Sequence, residues 1–255
     1  MWKLFWQNGF WLCNTQLNMT DKIKINDTKE TYTEFHVKQN PIHVYPSEWV
    51  IRTFLGTYPE LSLDKSTYQH SKILDIGYGD GRNFPLFKNM GMDIYGIEIT
   101  DTINDLCLTR MKAVNIHPTL KVGSNSNIPF ESGYFDYILA SSSCYYVDRG
   151  TSFEDNLKEY SRVLKPGGIL VVSVGEKDSF IFKNAIDIGD GHFEIVNDTY
   201  GLRNGYIMRR FDSAEEIKTV FGKYFNSFSI GSGRDNFYGH KISLYYIICK
   251  KKDDE

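Results

Sequence analysis

From Lys72 onward, short apolar runs alternate with segments whose apolar positions recur at helical spacing. Lys72–Ile76, Asp93–Ile97, Thr119–Val122, Phe135–Ala140 and Ile169–Val174 read as strands. Phe84–Met90, Asp101–Val114 and Ser152–Leu164 read as helices between them. That rhythm predicts an α/β fold, a mostly parallel sheet with helices on both faces. Upstream, Tyr45–Leu55 reads as a helix with Ser47 as N-cap and a stripe of Val50, Ile51, Phe54 and Leu55. Residues 1–40 show weak periodicity and read as a loosely ordered lead-in, and residues 56–71 as polar loop.

The alternation breaks over residues 176–210. There His192–Asn197 and Tyr206–Phe211 read as paired strands around an Asn204-Gly205 turn. Ser213–Phe221 returns to helix, and Phe225–Ile230 and Ser243–Cys249 close the chain as an antiparallel pair. The expected organisation is a lead-in with helical cap over residues 1–70. A main domain over 71–255 then carries a β-hairpin insertion at about 176–210.

Composition narrows the classes. A 41% hydrophobic content is enough for a core, which excludes a disordered chain. With 29 basic against 32 acidic residues, no field gathers nucleic acid or an anionic membrane. The cysteines Cys13, Cys107, Cys144 and Cys249 form no CxxC pair, so neither a zinc site nor a disulfide framework is expected. A reducing, cytoplasmic setting follows as the expectation. The opening apolar run is broken by Gln7 and Asn8, unlike a signal peptide. Met19 offers a second start, so residues 1–18 are expected to be dispensable. Aromatics at 15% suggest a pocket or interface lined by rings.

The strongest chemical signal is Ile73-Leu74-Asp75-Ile76-Gly77-Tyr78-Gly79-Asp80-Gly81. A strand ends near an acid and turns through glycines into a helix. Such a turn brings a ligand close to backbone N–H groups at a helix start. Glu98, ending the next strand, stands where a carboxylate accepts both hydroxyls of a ribose. A dinucleotide would be served by much the same residues. Asp75 discriminates, because a carboxylate beside the turn suits an ammonium group and repels a pyrophosphate.

With these residues in place, the chain resembles the class I S-adenosylmethionine (SAM)-dependent methyltransferases. LDIGYGDGRN is similar to their glycine-rich motif and GIEIT to their acidic strand end. NIPFESGYFDYILASSSCYYV and EYSRVLKPGGILVVSV resemble the blocks around the fourth and fifth strands. The resemblance covers roughly residues 72–175 and implies a Rossmann-like, seven-stranded sheet whose last strand is antiparallel. It implies SAM as cofactor and S-adenosylhomocysteine (SAH) as product. Asp75, Gly77, Tyr78, Gly79 and Ser141 are the expected cradle for its methionine part. Glu98 is expected at the ribose, Ile99 against the adenine, and Ser124 and Asn125 near the adenine amine. Ser124 and Asn125 depart from the acidic residue common at that place. Tyr78 likewise replaces a small residue.

The expected activity is methyl transfer to an O or N atom of a small polar metabolite. The lean is towards a sugar or phosphate-bearing intermediate of surface-polysaccharide biosynthesis. Candidate catalytic groups are Tyr145, His192 and His240. Candidate acceptor contacts are Tyr32, Tyr146, Arg203, Tyr206 and Arg209, with Arg210 beside them. No concentrated His/Asp/Glu set suggests a metal. The expected partner is a small-molecule acceptor rather than nucleic acid or membrane, with a homodimer left open. An NAD-dependent oxidoreductase and a non-catalytic SAM-binding protein are the rivals.

Overall fold

A computed structural model describes residues 28–39 and 43–253. Expectations for residues 1–18 therefore lie outside the described residues. The helices are α1 (Thr28–Gln39), α2 (Glu48–Leu55), α3 (Phe84–Asn89), α4 (Asp101–Ala113), α5 (Phe153–Val163) and α6 (Ala214–Phe221). The first strands are β1 (Lys72–Ile76), β2 (Asp93–Glu98), β3 (Thr119–Val122), β4 (Phe135–Ala140), β5 (Tyr146–Val147) and β6 (Leu164–Glu176). The rest are β7 (Ile186–Gly189), β8 (His192–Glu194), β9 (Ile207–Phe211), β10 (Phe225–Phe237) and β11 (His240–Lys251).

The central strands run β3-β2-β1-β4-β6 and are parallel throughout. β11 pairs antiparallel with β6, and β10 antiparallel with β11. The fold is the expected α/β, Rossmann-like one. Alternation along β1 sends Ile73 to one apolar layer and Leu74 and Ile76 to the other. Both faces of the parallel strands are thereby covered, as such sheets require.

Three elements differ from expectation. α1 is a helix where a loose lead-in was read, and it has no apolar stripe to announce it. In α2, Val50 and Phe54 are buried while Ile51 and Leu55 stay exposed, and Ser47 stands at the N-cap without a side-chain bond. β9 is more than a hairpin arm. It pairs antiparallel with β8, yet its end runs parallel with β6, at Gly175–Arg210 and Glu176–Phe211. Gly175 also pairs with Leu244 of β11, so β9 occupies the β4-side edge of β6, beyond the last β4 partner. From there it also pairs with β5, which follows the loop after β4. The insertion is thus knitted to the edge where the parallel strands end.

Candidate functional site

The turn after β1 is built from left-handed residues. Gly77, Gly79 and Gly81 have φ of +66°, +60° and +73°, a region that side chains occupy only under strain. A Cβ on Gly77 would stand 2.7 Å from the Cβ of Ser143, so the turn also lies tight against the loop after β4. The Gly79 N–H donates to Glu98 Oε1 at 2.8 Å, and the Ile99 N–H to Oε2 at 3.0 Å. These bonds fix the Glu98 carboxylate against the turn. Burial pushes its carboxyl up, and the two backbone N–H groups oppose that. Asp75 lies beneath the turn at 1% exposure, with Asn83 Nδ2 donating to it at 3.3 Å. Burial pushes its carboxyl up to about 8 despite the Asn83 bond.

A cavity opens at this strand edge. Gly77, Glu98, Ile99, Ser124 and Asn125 line it together with Tyr32, Tyr146 and Tyr206. The loop carrying Tyr146 is held by buried carboxamides. Asn125 Nδ2 donates to the Ser143 and Tyr146 carbonyls at 2.9 and 3.1 Å. The Tyr160 hydroxyl donates to Asn125 Oδ1 at 2.6 Å. Asn156 of α5 donates to the Tyr146 carbonyl as well, at 2.8 Å. The Ser143 hydroxyl donates to the Ile76 carbonyl at 2.5 Å, tying this loop to the end of β1.

At its other end, Tyr146 accepts from Arg203 Nε at 3.2 Å and shares a 2.6 Å hydroxyl–hydroxyl bond with Tyr32. Tyr145 stacks on its ring at 5.3 Å, and Tyr206 meets it edge-on at 5.2 Å. Burial pushes the Tyr32 phenol up to about 12, and the Tyr145 and Tyr146 phenols are raised for the same reason. All three are neutral at ordinary pH.

Residues 74–172 match a family model described as a methyltransferase domain. Over that stretch the chain is similar to methyltransferase domains. Over 136 residues the chain is 29% identical to a demethylmenaquinone methyltransferase of Staphylococcus saprophyticus, covering 51% of this chain and 55% of the relative. A protein-L-isoaspartate O-methyltransferase of Methylorubrum extorquens is 28% identical over 104 residues, covering 41% and 42%. The chain thus spans about half the length of these curated relatives. A SAM-dependent methyltransferase structure from Methanosarcina mazei matches with a TM-score of 0.57 at 21% identity. It covers 78% of this chain and 99% of the other, a likeness of fold.

Within this fold the expected residues separate into groups. Gly77, Glu98, Ile99, Ser124, Asn125, Tyr32, Tyr146 and Tyr206 meet at one cavity, with Asp75 and Gly79 beneath and beside it. Ser141 is not in the wall; Ser142 and Ser143 line it instead. Tyr78 turns away into the layer with Phe84, where its hydroxyl bonds Asn104. Asn125 is at the wall, but its carboxamide is spent on the loop and on Tyr160.

Tyr145 stands behind Tyr146 and is buried. His192 pairs in register with Arg209 on the insertion's strands and does not reach the cavity. His240 packs on Phe180, ring centroids 3.7 Å apart, at the outer hairpin. Arg209 is buried against Glu216 at 2.6 Å, so it too is withdrawn from the cavity. Tyr45 and Arg52, in the N-terminal segment read as a helix, are exposed and line no part of it.

Two contributors escaped the sequence reading. Thr33 of α1 bonds Thr100 through their hydroxyls at 3.1 Å. His36 of α1 lies over the glycine turn, where a Cβ on Gly79 would meet its ring at 3.0 Å. Only a helical reading of residues 28–39 would have revealed them, and that helix lacks an apolar pattern.

Proposed function

We propose that this protein transfers a methyl group from SAM to an O or N atom of a small polar metabolite. The observation carrying the reading is the pair of buried carboxylates, Asp75 and Glu98, at the ends of adjacent strands around a left-handed glycine turn. Their chemistry fits the cofactor. Each Glu98 oxygen accepts one backbone N–H and keeps a lone pair for a ribose hydroxyl. Among the described residues Asp75 has one long side-chain donor and no cation partner, so an ammonium group answers its need. Gly77 and Gly79 admit the methionine part, Ile99 packs on the adenine, and Ser124 and the Asn125 backbone border its amine. When bound, SAM supplies a methyl group already activated on sulfonium.

The protein's share is alignment and exclusion of water. Tyr146, fixed at both ends, and Tyr32 and Tyr206 beside it offer hydroxyls and ring edges to the acceptor. Being neutral, the Tyr32 and Tyr146 phenols orient the acceptor rather than deprotonate it. An unprotonated amine or an already acidic hydroxyl suits such a wall. Sugar phosphates of the kind used in surface-polysaccharide biosynthesis are the acceptor class this proposal favours. Calorimetry with SAH and NAD separately, followed by methyl transfer from labelled SAM to metabolite pools, tests the reading. SAH binding with labelled product is the expected result. NAD binding without SAH binding would sink it, and SAH binding with no transfer to any pool would point to a non-catalytic binder.

A further inference from the structure

We infer that the acceptor carries an oxyanion group, a carboxylate or a phosphate, which Arg203 binds behind the cavity wall, through its contact with the wall residue Tyr146. The inference rests on the methyl-transfer reading for the acceptor's role, and on the pairing of the insertion's arginines for its chemistry.

Arg149, Arg203, Arg209 and Arg210 all stand in or against the insertion, and three have close carboxylates. Arg149 donates to Glu194 at 3.0 Å and to the Gly205 carbonyl at 2.9 Å. Arg209 meets Glu216 at 2.6 Å, and Arg210 meets Asp212 at 3.0 Å. Arg203 differs. Its Nη1 approaches the Asp198 carboxylate only at 3.4 and 3.5 Å. That carboxylate is already accepting the Leu202 and Arg203 N–H groups at 2.9 and 3.2 Å. Nε donates to the neutral Tyr146 hydroxyl, and Nη2 has no hydrogen-bond partner among the described residues.

A guanidinium presents five donors in a planar fork that matches an oxyanion in two-point contact. Leaving such a cation weakly compensated among aromatic rings is costly, and an incoming anion offsets that cost. The Arg203 side chain keeps 22% of its surface open, which leaves a way in for a ligand. The geometry also sets the acceptor's direction. Arg203 does not itself line the cavity, but Tyr146 is both a wall residue and its Nε partner, so an anion held on Arg203 lies next to the tyrosines.

The test uses the full chain saturated with SAH. Inorganic phosphate and oxalate serve as probes, against chloride at matched ionic strength. At least one probe should raise the melting temperature of the wild type by linkage. Arg203→Gln should lose that rise, and Arg203→Lys, which keeps the charge without the fork, should retain part of it. Which probe acts separates a phosphate from a carboxylate. A panel of sugar phosphates, hydroxy acids, amino acids and neutral sugars is then offered with labelled SAM. Anionic members should be methylated, with acceptor KM in Arg203→Gln raised about tenfold or more and SAH affinity unchanged.

Intact SAH binding with no response to either anion, or with equal response in Arg203→Gln, would overturn the oxyanion inference and leave the methyltransferase reading standing. So would transfer confined to neutral acceptors. An anion response that depends on Arg203 without any SAH binding would do the reverse.

Discussion

At the scale of single residues, the proposed site turns on two buried carboxylates. Glu98 faces the cavity from a strand end. Its loss should weaken SAM binding by about 1–3 kcal/mol, the range for hydrogen bonds to a charged group. Calorimetry on Glu98→Ala should find this in a protein that stays folded; wild-type affinity would remove Glu98 from the site.

Asp75 couples the site to pH. Its carboxyl is raised from an ordinary 3.8 to about 8, so the folded protein holds a proton that the unfolded chain releases between those values. That stabilisation is complete below about pH 3.8 and lost as pH rises through about 8. Asp75→Asn should therefore melt a few degrees above the wild type at pH 8, with the gap narrowing towards pH 5. An ammonium ligand lowers the Asp75 pKa, so SAM binding to the wild type near pH 7 should release a proton. Calorimetry in buffers of different ionisation enthalpy reads that release, and Asp75→Asn should abolish it.

The carboxylates were legible in the sequence because each ends a strand beside a glycine turn. Tyr78 was not placed correctly, although a signal existed. Gly96 sits inside β2, and a Cβ there would stand 2.5 Å from the Tyr78 ring. A bare glycine within a strand marks such a close approach, and it gives the ring its berth away from the cavity.

At the scale of elements, α5 does more than cover the sheet. Ser152 caps it in a reciprocal capping box with Asp155. Asn156 reaches the loop that presents Tyr146, and Tyr160, one turn on, bonds Asn125, which holds the same loop. Asn156 is fully buried and donates to both the Cys144 and Tyr146 carbonyls. Asn156→Ala leaves one carbonyl bereft and another with Asn125 alone. It should cost about 1–3 kcal/mol in denaturant unfolding. Backbone exchange over residues 142–147 should rise with it. Unchanged exchange there would mean that Asn125 holds the loop unaided.

Sequence pattern located α5 to within a residue at each end, since its apolar face is regular and its cap is Ser152. The same logic missed α1. That helix is held by point contacts, Tyr32 on Tyr146, Thr33 on Thr100 and His36 over Gly79, none of which leaves a periodic trace. Nor does periodicity carry pairing partners, which is why β9 read as a hairpin arm and not as a neighbour of β6.

At the scale of the whole molecule, the strand order divides the labour. The parallel order turns at β1, with β2 and β3 on one side and β4 and β6 on the other, and ligands bind at such a switch point, off the carboxyl ends of the strands. Asp75, Gly77, Gly79 and Glu98 all come from the β1–β2 half of that crevice. Arg203 and Tyr206 come from the insertion, which arrives at the same edge through β9. Within the insertion, residues 196–204 form an outer loop whose base is closed by two bonds. The Gly205 N–H donates to the Ile195 carbonyl, and the Ile195 N–H to the Tyr206 carbonyl, both at 2.9 Å. Asp198 and Asn204 bond chiefly within that loop.

Replacing residues 197–203 by a short glycine-containing turn should thus leave the sheet, β9 and Tyr206 in register. The melting temperature should move by only a few degrees, because loop length is a weak contributor to stability. SAH affinity should stay at the wild-type level, since no carboxylate of the cofactor crevice is touched. The anion response and acceptor turnover should disappear together with Arg203. If SAH affinity fell in step with them, the outer loop would be a cover for the cofactor, and acceptor recognition would have to reside in the tyrosine wall alone.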